Sequence, residues 1–359
     1  MPWYTNLRKG NSKDEFIVER LLSLRRSLKE HVPSRTLKES LLLATWNIRE
    51  FDSLKFGKRT KDANFFIAEI ISHFDLVAVQ EVRKDLKGLK NVMRILGKNW
   101  DYLITDVTEG NPGNKERMAF LYDTRKVRFG GLASEIVLPP KKTKDSDGNT
   151  IYLSPLQIAR TPFMCGFSAG WTDFTLVTVH MIYGSSDPND PRRVAEINQI
   201  AEFLEDRSHD ETAWSRNFIL LGDFNIFKKT DQTMKALDKA GFKIPTILFD
   251  TPTNIKEDRI YDQIAFRTRD DRFADASINA GVFRFFRSVF RAEDEARYAE
   301  FMGKGYITDS NGNTRDAASK TRYYKTHWRT HQMSDHYPLW IELKIDYTDE
   351  YLTRKLSSS

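Results

Sequence analysis

Residues 41–47 read Leu41-Leu42-Leu43-Ala44-Thr45-Trp46-Asn47, a run without charge that stops at a carboxamide. A run this short and this continuously apolar predicts a strand covered on both faces. Similar runs recur at Leu76–Gln80, Met118–Tyr122, Phe174–His180, Phe218–Gly222, Arg259–Phe266 and Leu339–Leu343. Helical periodicity fits Asp62–His73, Asp85–Leu96, Pro191–Arg207 and Gln232–Ala240 between them. The mixture predicts an α/β sandwich with buried sheets rather than an all-α or all-β fold. Neither a repeat, a low-complexity tract nor a Pro/Gly/Ser linker divides this region. One large domain over residues 39–346 is expected. Lys141–Thr150, with Asp147-Gly148-Asn149, reads as an exposed hairpin tip.

Ahead of this domain, residues 1–38 form a basic extension whose helix is predicted over 14–31. Ile17, Leu21, Leu24 and Leu28 make one apolar stripe, and Pro33 ends the helix. Packing on its own domain is the expected use of that stripe; docking of a protein partner, or self-association, is the alternative. Residues 347–359 read as a polar tail.

The whole chain has 359 residues, 40% of them hydrophobic, which is ample for a large core. No apolar run approaches the length of a membrane span, so membrane insertion is not expected. Arg8, Lys9, Lys13, Arg20, Arg25 and Arg26 fall early, without the apolar stretch of a secretory signal. Cys165 is the single cysteine, so neither an intramolecular disulfide nor a cysteine zinc site is available. An intracellular, cytoplasmic protein is expected. The net charge of +6 suits a polyanionic partner but does not decide it.

Polar residues stand where the apolar runs end, the usual place for an active site on a sheet. Asn47 closes LLLATWN, Glu81 follows DLVAVQ, and His180 ends FTLVTVH. Asp223 and Asn225 follow FILLG, and Asp262 lies within RIYDQIAF. Asp335 and His336 precede YPLWIEL. Each alone has a plain structural reading as a cap, a turn former or a loop residue. Their repetition at successive strand ends argues for a site. Oxygen donors without cysteine suit Mg²⁺ or Ca²⁺ rather than zinc. Two histidines near acids supply a general base and a general acid. That inventory fits hydrolysis of a phosphate ester.

The segments TWNIREF, VQEV, NKERMAFLY, VTVH, LGDFN, IYDQIAF and SDHYPL occur in the order found in the endonuclease/exonuclease/phosphatase superfamily, which the chain resembles over residues 41–345. The resemblance implies a four-layer α/β sandwich, two packed mixed β-sheets flanked by helices. The motif flanks NIR, QEVR, KER and ARTPF are most similar to the deoxyribonuclease I branch. By that resemblance Glu81, Asn47 and Asp335 hold a metal, Mg²⁺ with Mn²⁺ or Ca²⁺ as substitutes. His336 pairs with Asp262, His180 with Glu116, and Asp223 and Asn225 bind the scissile phosphate. Arg49 and Arg160 contact phosphates, and Arg83 reaches into the minor groove of DNA. The branch carries an aromatic residue just before its KER, where this chain has Asn114.

Residues 267–333 read as an insertion. Phe283, Phe285, Phe286 and Phe290 alternate with Arg284, Arg287 and Arg291, a pattern expected to be core with solvated arginines. Residues 317–333 hold Lys320, Arg322, Lys325 and Arg329 among Tyr323, Tyr324 and Trp328. There Lys325 and Arg329 are expected to meet substrate. The resulting expectation is a metal-dependent endonuclease with DNA as partner. The alternative is a phosphatase or phosphodiesterase acting on inositol phosphates, phospholipid head groups or nucleotides.

Overall fold

The structure is a computed structural model that describes residues 2–51, 53–109, 114–268 and 277–356. Its strands are β1 (Ser40–Phe51), β2 (Leu76–Arg83), β3 (Trp100–Ile104), β4 (Glu116–Asp123), β5 (Arg128–Glu135) and β6 (Lys141–Lys144). There follow β7 (Thr150–Leu153), β8 (Phe163–Ala169), β9 (Thr172–His180), β10 (Phe218–Asp223), β11 (Asp262–Arg267), β12 (Ser277–Val282) and β13 (Leu339–Lys344). One sheet has the order β12-β13-β1-β2-β4-β3 and the other β11-β10-β9-β8-β5. Both are mixed: β1–β2 and β9–β10 run parallel and their other neighbours antiparallel. The hairpin β6–β7 stands apart from both sheets.

The unbroken apolar run of β1 is explained by two different coverings. Leu41 and Leu43 pack between the sheets, against Leu176, Ile219, Leu221 and Ile264 of the facing sheet. Leu42, Ala44 and Trp46 face the opposite way, into a layer of helices. That layer holds α1 (Ser12–His31), α2 (Lys61–Ile71) and α3 (Lys87–Leu96). The outer face of the second sheet is covered by α4 (Pro191–His209) and α5 (Gln232–Lys239) through Ile197, Ile200, Leu204 and Leu237. Four layers result, as the resemblance implied, and the central strands β1, β2, β9 and β10 are covered on both faces.

Helix α1 is capped by Asn11, whose side chain accepts from the Lys13 and Asp14 amides. Its stripe of Ile17, Leu21, Leu24 and Leu28 is buried within the helical layer. Arg25 pairs with Glu69 of α2 at 2.6 Å, and Arg20 with Asp294 at 2.6 Å. The stripe thus packs on its own domain.

The segment after β11 contributes β12 and then an aromatic cluster. Phe285 lies 5.5 Å from Trp46, and Phe290 lies 4.7 Å from Tyr298. The phenylalanines are core, as expected. Helix α6 (Ala317–Tyr323) continues through a π-helical turn, Tyr324–Trp328, into a last turn Arg329–Gln332. The wider turn buries Tyr324 and Trp328 and delivers the chain to Ser334-Asp335-His336. The C-terminal residues, expected as a polar tail, form α7 (Thr348–Leu356), with Leu352 and Leu356 exposed. No helix among the described residues is long and apolar enough to cross a membrane.

Candidate active site

The space between the sheets changes character toward one end. Above the apolar layer, Gln80 Nε2 donates to Thr45 Oγ1 at 3.1 Å and to Thr178 Oγ1 at 2.8 Å, tying the sheets together. Two residues further along the same strand faces stand Asn47 on β1 and His180 on β9. Asp223 lies beside His180 in register, and Asp262 beside Asp223.

Local backbone irregularity aims the remaining groups. The register of β2 shifts between Val79 and Val82, and Glu81 there has φ 61°. The register of β1 shifts between Asn47 and Phe51, with Glu50 at φ 44°. Such bulges turn a side chain off the alternating pattern, at a local cost of about 1–3 kcal/mol per strained residue. Here they bring Glu81 and Glu50 into the wall of a cleft of about 280 Å³. Gly222 has φ 137°, and a Cβ there would lie 2.1 Å from the Val179 carbonyl oxygen. Only glycine lets β10 approach β9 closely enough to set Asp223 beside His180.

Two histidine–carboxylate pairs face each other across this cleft. His336 Nδ1 lies 2.8 Å from Asp262 Oδ2, and His180 Nδ1 lies 2.9 Å from Glu116 Oε2. Their Nε2 atoms converge on Asp223 Oδ2, at 3.8 Å and 3.6 Å respectively. Asn47 Nδ2 donates to the same oxygen at 3.0 Å. Asp223 Oδ1 accepts from the Asn225 amide at 2.9 Å, and Asn225 Nδ2 donates to the Met181 carbonyl at 2.9 Å. Tyr261 stacks on the His336 ring with centroids 5.5 Å apart.

The charges are strongly coupled. Burial pushes the Glu116 carboxyl up, but His180, Arg160 and Arg83 outweigh it and hold the group at about 2. Burial opposes charge on His336, yet Asp262 and Asp223 raise its pKa well above the ordinary imidazole value. Glu81 is raised instead, by burial and then by Glu116 and Asp335. An acid crowded by acids is a poor ion-pair partner and a good cation ligand. Asn47 Oδ1 is also buried without a hydrogen-bond partner. These all-oxygen donors fit the divalent cation that the resemblance implies, with Glu81, Asn47 and Asp335 as the residues that would hold it. Asp223, Asp262 and His336 also present donor atoms within 4.8 Å of one another. His336 Nδ1 is already taken by Asp262, so that trio reads as a paired histidine rather than a cation cage.

The expected substrate arginines are placed differently from one another. Arg160 lines the cleft, but its Nε lies 2.9 Å from Glu116 Oε2 and its Nη1 donates to the His180 and Met181 carbonyls. It braces the His180 pair. Arg83 Nη1 donates to the Asn114 carbonyl at 2.6 Å, and the guanidinium lies 3.8 Å from Glu50 and 3.9 Å from Glu116. It is folded back on the cleft wall instead of projecting toward a groove. Arg49 reaches the Thr326 carbonyl at 3.4 Å and Asp335 at 3.7 Å, joining the cleft to the segment after α6. Lys325 and Arg329 do not line the cleft. Arg329 packs over Phe286 at 4.3 Å and donates to the Phe290 carbonyl, so its charge is turned into the protein, correcting the expected substrate contact.

Four residues of the site were not singled out from the sequence. Gln80 was reachable, since Leu76, Ala78 and Gln80 share one strand face. Ser334 Oγ donates to the Asn47 carbonyl at 2.5 Å and accepts from the His336 amide at 3.0 Å, which fastens the two motifs together. Glu50 and Tyr183 complete the lining, and no local pattern marks them.

A mannosyl-6-phosphatase from Bacteroides thetaiotaomicron superposes over 85% of this chain and 99% of its own, with TM-score 0.50 and 16% identity. The chain shares that protein's fold. Humanized D. rerio TDP2 covers 84% of this chain and 98% of its own at TM-score 0.49 and 11% identity. The human Nocturnin catalytic domain with bound sulfate covers 84% and 93% at TM-score 0.48 and 11% identity. No protein-family model matches the sequence, and no curated protein does.

Proposed function

We propose that this chain is a divalent-metal-dependent hydrolase of phosphate esters, and specifically an endonuclease that cleaves DNA phosphodiester bonds. The observation that carries the reading is the convergence of His180 and His336 on Asp223 Oδ2, each backed by its own carboxylate. One pair takes the proton of the attacking water as it approaches phosphorus in line. The other gives its proton to the leaving 3′-oxygen, so the product carries a 5′-phosphate. Asp262 and Glu116 fix the Nδ1 side of each ring, which leaves Nε2 for the proton transfer. Asn47, Asn225 and Asp223 position the phosphate between the two rings. A bound Mg²⁺ would offset the charge of the phosphoryl oxygens.

A second reading, a phosphatase or small-substrate phosphodiesterase, is favoured by one observation. Arg83 and Arg160 are both spent on Glu116 and nearby carbonyls, leaving fewer cations for an extended backbone. Incubation with supercoiled plasmid in Mg²⁺, Mn²⁺ or Ca²⁺, with EDTA as control, separates the two. Metal-dependent nicking supports the endonuclease. Intact plasmid beside phosphate release from small monoesters overturns it in favour of the second reading.

A further inference from the structure

The hairpin β6–β7 leaves the body at the same end of the second sheet as His180. Ile136, directly after β5, donates to the Pro162 carbonyl, and Phe163 of β8 pairs with Thr178, two residues before His180. The stem is clamped: Gln157 accepts from the Leu138 amide at 2.8 Å, and Ile136, Leu138 and Ile158 are buried against the α4 layer. Beyond the clamp the hairpin projects, and every residue of β6 is exposed.

Its two faces differ. In the β6–β7 register Lys142 opposes Tyr152 and Lys144 opposes Thr150, so these four share one face. Lys141, Leu153, Thr143 and Ile151 share the other. The strands hold three lysines and no acid. Asp145, at the start of the turn, accepts from the Asp147 and Asn149 amides, while Asp147 remains exposed at the tip. Lys142 and Lys144, two residues apart on one face, stand about 7 Å from each other. That matches the interval between successive phosphates of a nucleic-acid strand. Tyr152 beside them, 65% exposed, offers a ring for stacking.

We infer that the Lys142–Lys144–Tyr152 face of this hairpin is a polynucleotide-binding arm that holds the DNA flanking the cleft. The inference rests on the endonuclease reading and extends it. From the Leu138–Gln157 clamp, Lys144 is six residues out and Arg160 three residues in, at most about 30 Å of extended chain. That span equals about nine base pairs of duplex. A long duplex seated in the cleft can cover any separation up to that span. Within the two strands the exposed large apolar side chains are divided between the faces, Tyr152 on one and Leu153 on the other, which favours a nucleic-acid strand over a lipid surface.

The test uses the full chain and its K142A/K144A variant. Binding of a fluorescent 30-base-pair duplex is followed by anisotropy in EDTA at several salt concentrations. Hydrolysis of the same duplex and of bis(p-nitrophenyl) phosphate is measured with metal. The expected result is a weaker duplex complex whose log–log salt slope falls by about 1.8, since each lysine contributes about 0.9. The loss in kcat/KM on duplex should exceed the loss on the small ester at least tenfold, and Y152A should weaken binding without changing the salt slope. An unchanged affinity and slope, with the wild type still cleaving duplex, overturns the arm and leaves the endonuclease reading intact. Wild-type protein that hydrolyses the small ester but neither binds nor cleaves duplex overturns the endonuclease reading itself. Lysine-dependent binding to phosphatidylserine vesicles in place of DNA overturns the choice of partner.

Discussion

Replacing Glu116 by glutamine removes one charge from the tightest ionic cluster of the site. In the folded protein the Glu116 carboxyl is held at about 2 against an ordinary 4.5, despite burial, by His180, Arg160 and Arg83. That lowering corresponds to about 3 kcal/mol favouring the ionised form at neutral pH. The sign follows from linkage. A carboxylate with a depressed folded-state pKa stabilises the fold above its unfolded value, and that contribution fades as pH falls toward the folded one. Glu116→Gln should therefore unfold at lower urea than the wild type at pH 7, by about 3 kcal/mol. At pH 3 the gap should shrink to about 1 kcal/mol, because the wild-type carboxylate has lost most of its advantage there. The same substitution leaves His180 Nδ1 without an anionic partner and Arg160 without its 2.9 Å contact, so turnover should fall about 100-fold. Urea curves at both pH values, with initial rates beside them, carry the test. A stability gap that is absent at pH 7, or equal at pH 7 and pH 3, would refute the charge cluster as the cause.

Three further outcomes follow from the same geometry. Millimolar Mn²⁺ should raise the melting temperature of the wild type and leave Glu81→Gln unmoved; an equal rise in both would remove Glu81 as a ligand. Burial and the neighbouring Arg59 hold the His331 pKa at about 3, below an ordinary 6.5. A depressed histidine stabilises the fold fully above pH 6.5 and progressively less as pH falls, by about 3 kcal/mol between pH 7 and pH 4. His331→Gln should lose less stability than the wild type over that interval, and parallel profiles would contradict the assignment. Leu24→Ala, in the fully buried stripe of α1, should cost about 2–5 kcal/mol by denaturant unfolding; a loss below about 0.5 kcal/mol would mean that α1 is not part of the core.

The strands that could be read from the sequence are those whose burial is uniform. β1, β2, β4, β9, β10 and β13 carry apolar runs because each has a covered face on either side, and their polar ends stand out against that background. β5 sits at a sheet edge with alternating exposure and two glycines, Gly130 and Gly131, so no run marks it. β3 is another edge strand with only Trp100 buried. β8 is fully buried but built from Cys165, Gly166, Ser168 and Ala169, whose small side chains give a weak apolar signal. At the site, short side chains at strand ends go where the backbone sends them, which is why His180–Glu116 and His336–Asp262 meet as expected. Long side chains do not obey that rule. Arg83, Arg160 and Arg329 take directions set by Glu50, Glu116 and Phe286, partners brought from distant parts of the chain. The bulge at Glu81 was equally hidden, because its cause lies in the pairing of β2 with both neighbours.

The central claim is that the two histidine–carboxylate pairs act together on one phosphodiester. Rates of plasmid nicking by His180→Ala, His336→Ala and the double variant test it most directly, with circular dichroism to verify the fold. The account predicts a loss of about 100- to 10,000-fold for each single variant and little further loss in the double, as for groups that work as one unit. Near-wild-type nicking by either single variant would contradict it.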